Sequence, residues 1–203
     1  MDNEQLPKWK TVDSKYLVND RWLKLRADTC LTPDGDTIGP WYVLEYSDWI
    51  SCLAIDRDDN VIILRHYRHG VDEYVPEIVG GGVDPEDESP KIAAIRELQE
   101  EIGYEGGELY SVGEAYANPS NQTNTMYVFL AVGGACTHER LKEIGADFVV
   151  ETMPFKDFVA QVMSPTPAAK YQSLHLASIF LALNFIRSTK DPSETIARLR
   201  SLM

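Results

Sequence analysis

Three glutamates, Glu97, Glu100 and Glu101, lie in the last two turns of a predicted helix that ends before Gly103. The C-terminal end of a helix carries the negative pole of the macrodipole, so an anion there is unfavourable by about 0.3 to 1 kcal/mol. Glu97 and Glu101 are also four residues apart, the spacing at which like charges repel each other. A solvated acidic face would be the ordinary explanation. A divalent cation would turn the repulsion into coordination, and Mg²⁺ is commonly held by few carboxylates plus water and phosphates, so we expect a metal site.

Three consecutive glycines, Gly80, Gly81 and Gly82, precede this helix. Glycine allows the backbone to approach a ligand closely and to adopt conformations closed to other residues. Three glycines alone would be a weak signal. Placed before an acidic helix, they predict a loop whose carbonyl completes the metal site and whose shape admits a diphosphate.

The limits of the helix are marked in the sequence. Ser89 is suited to cap its first turn, Pro90 to occupy its first position, and Gly103 to end it in a left-handed conformation. Helical spacing predicts that its apolar side carries four residues: Ile92, Ile95, Leu98 and Ile102.

The stretch from Gly82 to Tyr104 resembles the Nudix hydrolase box, G-x5-E-x7-R-E-U-x-E-E-x-G-U, where U is a bulky apolar residue. The matching residues are Gly82, Glu88, Arg96, Glu97, Leu98, Glu100, Glu101, Gly103 and Tyr104. Tyr104 departs mildly from the last apolar position. The resemblance implies an α/β (α+β) fold, the Nudix α/β/α sandwich with a mixed sheet, and hydrolysis of a nucleoside diphosphate linked to another group.

The resemblance also implies how the metal is held. Glu97 and Glu101 are the implied main ligands of Mg²⁺, with Mn²⁺ as an alternative ion. Glu100 is an additional or water-mediated ligand, and the carbonyl of Gly81 is a further partner. These residues are therefore the expected metal-binding and catalytic centre.

Two further roles follow from the resemblance. Arg96 and Glu88 are expected to pair and to hold loop and helix in register. The base that takes a proton from the attacking water is, in the ADP-ribose group, a glutamate on a loop before a late strand. Here Glu139 and Glu143 are the candidates, with Asp147 further along, and the sequence leaves the choice open.

Residues outside the Nudix box indicate which subgroup of the family, and hence which class of substrate, the sequence resembles. Pro119 stands fifteen residues after Tyr104, a spacing that resembles the proline mark of the ADP-ribose pyrophosphatase group. The segments YVLEY (42–46) and LRHYR (64–68) are similar to the N-terminal half of nucleotide-sugar hydrolases. The resemblance thus spans about residues 20 to 160.

Individual residues near the expected substrate carry weaker signals. Arg68 matches an arginine that contacts substrate phosphates in such relatives, although a surface arginine at a strand end would look the same. Trp22 matches a tryptophan that stacks on the base, with core packing as the alternative. Glu77 either supports the metal site or forms a salt bridge at its rim. Val79 and Gly80 stand where relatives often have proline and alanine.

The other residues with reactive side chains are read as structural. The histidines show no ligand spacing with the carboxylates; they are His66, His69, His138 and His175. The cysteines form no CxxC pair and are expected to be buried apolar residues; they are Cys30, Cys52 and Cys136.

The elements that must position these residues are mixed. A hairpin is predicted over residues 22–46 around Pro33-Asp34-Gly35-Asp36, and a second pair, ISCLAID and NVIILRHY, across Arg57-Asp58-Asp59. Further strands are predicted at 108–118, 123–132 and FVVETM near 148, and helices at 155–163 and 168–187. We expect an N-terminal antiparallel sheet in residues 1–47 and a Nudix domain in residues 48–203.

The composition and charge of the chain exclude several classes of function. The chain has 203 residues, a hydrophobic fraction of 44% and a net charge of −13, typical of a folded protein that does not bind nucleic acid. The N-terminus does not resemble a signal peptide, and the longest apolar run near the C-terminus, IFLALNFI, is too short to span a membrane. A cytoplasmic location is therefore expected.

The sequence predicts a Mg²⁺-dependent hydrolase of nucleoside diphosphate sugars, with ADP-ribose converted to AMP and ribose 5-phosphate. The alternatives are GDP-mannose or another nucleotide sugar, or a sensor that binds a nucleotide sugar without cleaving it. In relatives the N-terminal sheet is exchanged across a homodimer, so a homodimer is expected here as well.

Overall fold

The computed structural model describes residues 6–136, 148–166 and 169–203. The strands are β1 (Lys10–Asn19), β2 (Lys24–Leu31), β3 (Thr37–Glu45), β4 (Trp49–Asp56), β5 (Asn60–Arg68), β6 (Glu73–Glu77), β7 (Val79–Gly82), β8 (Tyr104–Glu105), β9 (Glu108–Tyr116), β10 (Thr125–Cys136) and β11 (Phe148–Pro154). The helices are α1 (Pro90–Ile102), α2 (Phe155–Val162), α3 (Ser173–Ser188) and α4 (Glu194–Ser201).

The chain folds into two compact units. One contains the residues up to Ser47 together with Tyr116–Thr125, and the other contains Asp48–Ala115 and Met126–Met203. The sequence did not predict that the segment around Pro119 would pack with the N-terminal strands.

The first unit is a three-stranded antiparallel sheet in the order β1-β2-β3. The predicted hairpin is confirmed as β2 and β3, and Gly35 takes a positive φ of 90° in the turn between them. Strand β1 was not predicted, because nearly all its residues are exposed and its sequence shows no apolar alternation. Tyr116–Thr125 is held to β3 by the backbone bond from Leu44 N–H to the carbonyl of Asn121, with an N···O distance of 2.7 Å.

The second unit is built on a mixed eight-stranded sheet whose main path is β11-β5-β4-β10-β8. Strand β4 runs parallel to β10 and antiparallel to β5 and β7. Strand β7, the glycine segment, was not predicted as a strand because glycine has low strand propensity.

Helices cover both faces of this sheet. On one face Ile50, Cys52 and Ala54 of β4 pack with α1. On the other face Leu53 and Ile55 of the same strand pack with α2, α3 and α4. Alternate residues of one strand therefore contribute to two cores, as the period of a strand requires. This confirms the α/β sandwich with a mixed sheet.

Several details differ from expectation. Helix α3 begins at Ser173 rather than at 168, and β6, β8 and α4 were not predicted. Cys30 and Cys52 are buried, but Cys136 is exposed at the end of β10, so the expectation of burial was wrong for that residue. Within the described ranges, no helix has the length and apolar character needed to cross a membrane. The cytoplasmic location stays a prediction.

Candidate active site

Helix α1 has the predicted ends. The Ser89 hydroxyl accepts from the backbone N–H of Ile92, Pro90 is the first helical residue, and Gly103 takes the left-handed conformation with φ 61°. The N–H of Gly103 bonds to the carbonyls of Gln99 and Leu98, which closes the helix. The end that carries the glutamates is therefore fixed in place.

The buried side of α1 is not the one predicted. Leu98 and Ile102 are buried as expected, but Ile92 and Ile95 are 43% and 39% exposed, and the neighbouring alanines at 93 and 94 are buried instead. The small alanines pack in the same cluster as Val79 of the glycine-rich strand β7, where large side chains would hold helix and strand apart.

Arg96 is the organising cation of this region. Its Nη2 lies 3.0 Å from Asp87 Oδ2 and 2.9 Å from the carbonyl oxygen of Gly82, and its Nη1 lies 2.9 Å from both Glu97 Oε1 and Glu100 Oε2. The hydrogen bonds between Arg96 and Asp87 raise the pKa of Arg96 and lower the pKa of Asp87. Arg96 thus ties the glycine segment to both the loop and the helix.

The expected pair of Arg96 with Glu88 is wrong. Among the residues that the structure describes, the loop carboxylates within reach of Arg96 are those of Asp87 and Asp84, and Glu88 is exposed. Two adjacent acids cannot be told apart by spacing alone, because the choice depends on how the loop turns after Asp84. The backbone bond from Asp87 N–H to the Asp84 carbonyl makes that turn and presents Asp87 to Arg96.

Gly81 lies directly against the carboxylate of Glu97. A Cβ atom added to Gly81 would stand 2.1 Å from Glu97 Oε1, far inside any van der Waals contact. Position 81 therefore has to be glycine for Glu97 to keep its place, and the carboxylate lies against the backbone whose carbonyl was expected to help hold a metal.

Glu101 is mostly buried beside the same segment. The backbone N–H of Gly80 donates to Glu101 Oε2 at 3.2 Å. Burial, followed by the nearby charge of Glu97, raises the pKa of Glu101 to about 8, against smaller lowering effects of the Gly80 N–H and Arg68. Two carboxylates that disfavour each other's charge at a buried position form a site suited to a cation.

The opposite side of β7 has a different neighbour. A Cβ atom added to Gly80 would stand 3.2 Å from His175 Nε2, and the N–H of Ile78 donates to His175 Nδ1 at 3.3 Å. Burial lowers the pKa of His175 to about 4, so the imidazole is neutral near pH 7. Successive residues of a strand point to opposite faces, which explains why Gly81 meets α1 and Gly80 meets α3.

Arg68 and Glu77 form a bidentate ion pair. Arg68 Nε and Nη2 lie 2.7 and 2.5 Å from the two carboxylate oxygens of Glu77, whose side chain is only 4% exposed. The hydrogen bonds to Glu77 raise the pKa of Arg68. Glu77 therefore fixes the direction of the guanidinium rather than forming a loose rim contact.

A cleft of about 390 Å³ opens beside the glycine segment within the second unit. Its walls include Trp49, Ser51, Arg68, Gly80, Gly81, Gly82, Met126, Gln172, Leu174 and His175. The Ser51 hydroxyl oxygen is buried and has no hydrogen-bond partner among the described residues. Neither Ser51 nor His175 was predicted to be a site residue.

The remaining predicted site residues fall elsewhere. Trp22 is 76% exposed, with the Arg21 guanidinium 4.1 Å from its ring centroid, so it is not a core residue. Pro119 is exposed in the segment that pairs with β3. The candidate bases Glu139 and Glu143 lie outside the described residues.

The three glutamates provide the kind of ligand atoms that a hard divalent cation prefers. Glu97, Glu100 and Glu101 offer oxygen donors beside a glycine backbone that a Cβ would obstruct, as Mg²⁺ prefers. Among the described residues, however, no three acidic, histidine or cysteine side chains already converge as a ligand set. Arg96 holds Glu97 and Glu100, so a cation would have to draw them away from that guanidinium.

Comparison with known protein families gives two consecutive matches, and the second one includes Tyr116–Thr125, which the structure groups with the N-terminal strands. A family model described as "Nucleoside diphosphate sugar hydrolase N-terminal domain" matches residues 9–44. A second model, the NUDIX domain, matches residues 47–172, which is more than half of the chain.

Individual relatives are distant. The chain is 24% identical over 144 residues to the ADP-ribose pyrophosphatase of Bacillus subtilis, covering 71% of this chain and 76% of that protein. It is 24% identical over 124 residues to the methanol dehydrogenase activator of Bacillus methanolicus, covering 61% and 66%. A crystal structure of an ADP compounds hydrolase superposes with a TM-score of 0.74 at 18% identity, covering 90% of this chain and 96% of the other, which establishes the fold.

Proposed function

Because the chain belongs to the Nudix hydrolase family, we propose that it hydrolyses the pyrophosphate bond of a nucleoside diphosphate sugar with the help of Mg²⁺, and that its substrate is ADP-ribose. Water adds across the P–O–P linkage, so the products are AMP and ribose 5-phosphate. The observation that carries the proposal is the pair Glu97 and Glu101, buried against the Gly80-Gly81 backbone where their charges disfavour each other.

The metal would be held by Glu97, Glu100 and Glu101 with the carbonyl of Gly81. When bound, it neutralises phosphate charge and lowers the pKa of a bound water. The contribution of the chain is to hold its carboxylates in place. Gly81 leaves room for Glu97, and the Gly80 N–H orients Glu101.

Arg68 is proposed to contact the diphosphate. Its bonds to Glu77 use Nε and Nη2, and its side chain remains 47% exposed at the wall of the cleft. A guanidinium fixed on one edge can present its other N–H groups to a phosphate without losing side-chain freedom on binding.

The general base is proposed to be Glu139 or Glu143. Replacing each by glutamine should separate them, because loss of a base typically lowers kcat by about a hundredfold or more. The variant that retains the wild-type rate identifies the residue that does not act as the base, and full activity in both would exclude the pair.

One experiment tests the proposed substrate. Purified protein is assayed with Mg²⁺ on ADP-ribose, GDP-mannose, other nucleotide sugars, dinucleotides and nucleoside triphosphates, with a chelator as control. We expect the highest kcat/KM for ADP-ribose and no turnover with the chelator. Preference for GDP-mannose would favour the alternative nucleotide sugar, preference for triphosphates would refute the assigned group, and binding without turnover would indicate a sensor.

A homodimer is proposed to complete the site that binds the nucleotide base of the substrate. Strand β1 adds a third strand to the predicted hairpin, and this unit still exposes large aromatic side chains: Trp9, Tyr16, Trp41 and Tyr42. Trp22 would stack on the base bound by the twin subunit, as its exposure permits.

Sedimentation should therefore give twice the 22.9 kDa chain mass. Trp22→Ala should raise KM more than it lowers kcat, because stacking acts mainly in ground-state binding. A fully active monomer at nanomolar concentration would contradict the proposal.

A further inference from the structure

Two adjacent glycines of β7 make room for different groups. The space beside Gly81 is taken by the Glu97 carboxylate, and the space beside Gly80 is taken by the His175 imidazole. An alanine at position 80 would place its methyl 3.2 Å from His175 Nε2 and 3.1 Å from the carbonyl oxygen of Ile50. Glycine at position 80 thus admits an imidazole to the wall of the cleft.

The hydrogen bonding of His175 fixes which ring nitrogen carries the proton. A backbone N–H can only donate, so the bond from Ile78 N–H makes Nδ1 an acceptor. The proton of the neutral ring therefore lies on Nε2, the nitrogen nearest Gly80. Among the described residues, nothing accepts a hydrogen bond from Nε2, so this donor lacks a protein partner at the wall of the cleft.

Ser51 adds a second unsatisfied polar group to the same wall. It pairs directly with Gly80 across β4 and β7, and it shares its strand face with Leu53, which packs on the α3 side. Ser51 lines the cleft, and its hydroxyl oxygen is buried without a partner among the described residues. Buried hydroxyls are nearly always hydrogen-bonded, so one without a partner at a ligand cleft calls for an explanation.

We propose that His175 and Ser51 form a neutral polar subsite that hydrogen-bonds the hydroxyl groups of the sugar half of the substrate. The proposal rests on the proposed function, since it assigns one half of a nucleoside diphosphate sugar to this wall. His175 supplies a donor, and the Ser51 hydroxyl both donates and accepts, which matches the dual character of a sugar hydroxyl.

The rest of the wall agrees with a sugar rather than a phosphate. Trp49, Met126 and Leu174 contribute aromatic and apolar surface, against which the C–H face of a sugar ring can pack. The neutral imidazole supplies no positive charge for a phosphate. Arg68, which also lines this cleft at the end of β5 beside β6, is the cation proposed to contact the diphosphate.

The test uses the two proposed products, ribose 5-phosphate and AMP, as separate probes for the sugar half and the nucleoside half of the substrate. Wild-type protein with Mg²⁺ is titrated calorimetrically with ribose 5-phosphate and with AMP, and both are also measured as inhibitors of hydrolysis. The variants are His175→Asn and Ser51→Ala. Asparagine keeps an acceptor near the position of Nδ1 for the Ile78 N–H but removes the Nε2 donor, so the internal bond is retained while the subsite donor is lost.

Each variant should weaken ribose 5-phosphate binding by about three- to tenfold, the usual effect of one neutral hydrogen bond, and leave AMP binding within about twofold. Ser178→Ala is the matched control, because this buried hydroxyl already bonds to the Leu174 carbonyl at 2.9 Å on α3. It should leave the binding of both products unchanged. Ser51→Ala should also not lower the melting temperature, because it removes an unsatisfied group.

The outcomes that overturn the proposal are distinct. Selective weakening of AMP would assign this wall to the nucleoside half, and equal weakening of both products would make the two residues structural. If wild-type protein hydrolyses no nucleotide sugar, the proposed function fails by itself. The titrations still decide the subsite in that case, and absence of ribose 5-phosphate binding to wild-type protein would reject it.

Discussion

Strand β7 separates two regions of opposite character. The acidic face, formed by Glu97, Glu100 and Glu101 beside Gly81, consists of carboxyl groups, and burial together with the nearby charge of Glu97 disfavours the ionised form of Glu101. The neutral face, formed by His175 and Ser51 beside Gly80, consists of uncharged polar groups that lack partners. Both faces are in an unfavourable state in the protein alone, the first through charge and the second through missing hydrogen bonds.

This difference between the two faces of β7 indicates that one face supports the chemical step and the other face selects the substrate. Repelling carboxylates gain most from a cation, and such a gain supports the chemical step through the charge that develops on the phosphates. Unsatisfied neutral groups gain only a few hydrogen bonds, which is enough to discriminate between substrates but not to drive the reaction. Changes on the acidic face should therefore lower kcat, and changes on the neutral face should raise KM.

The largest effect is expected for Glu101→Gln. The change removes a charge but little volume, so kcat should fall by about a hundredfold or more, because electrostatic support of several kcal/mol is lost. In metal-free protein the melting temperature should stay equal or rise, since glutamine replaces an acid whose ionisation the folded state disfavours. Steady-state hydrolysis and thermal unfolding measure the two effects.

Glu114→Gln, an exposed acid on β9, is the matched control and should change neither quantity. A Glu101→Gln protein with a near wild-type rate would remove the acidic face from the mechanism.

A smaller loss is expected for Gly81→Ala. The new methyl overlaps the Glu97 carboxylate, which must rotate away because its far end is more easily moved than the backbone. We expect kcat to fall by about 10- to 100-fold, as for the loss of a supporting contact to a metal ligand, with KM changed less. Circular dichroism should show an intact fold. An unchanged kcat would mean that Glu97 need not lie against Gly81.

The acidic face was largely predictable from sequence because its signals are local. Ser89 and Gly103 mark the ends of α1, and the glutamates follow at fixed helical spacing, so one turn of helix decides their arrangement. The loop partner of Arg96 was not predictable, since Asp87 and Glu88 differ only in how the chain turns before the helix.

Asp87→Asn should lower kcat by about tenfold, because Arg96 loses the carboxylate that ties the loop to the helix and its position shifts against Glu97 and Glu100. Glu88→Gln, one residue away, should stay within about twofold. Kinetics of the two variants side by side measure the contrast, and a larger loss in Glu88→Gln would restore the pairing that the sequence predicted.

The neutral face could not be read from the sequence, because its meaning depends on distant neighbours. His175 lies 97 positions after Ile78, to which it bonds, and a lone histidine on an apolar helix gives no sign of the glycine that it meets. Ser51 is one small residue in a run of buried strand residues. Only the register of β4 with β7 brings Ser51 beside Gly80.

The smallest effect is expected for Gly80→Ala, which tests whether the glycine is there for the imidazole. Its methyl would press on His175 Nε2 at 3.2 Å, a contact that a shift of a few tenths of an ångström relieves. We expect KM for the nucleotide sugar to rise about threefold with kcat within about twofold, in contrast to Gly81→Ala. The free energy of unfolding should fall by about 1 kcal/mol, as for mild overpacking.

A double-mutant cycle with His175→Ala separates this contact from the one with Ile50. The methyl lies 3.1 Å from the Ile50 carbonyl whether or not the imidazole is present, so that cost cancels in the cycle. The remaining coupling between positions 80 and 175 should be about 0.5 kcal/mol or more in unfolding free energy, the range for residues in direct contact. Additive effects would mean that the imidazole does not need the glycine, so that Gly81 makes room for a side chain and Gly80 does not.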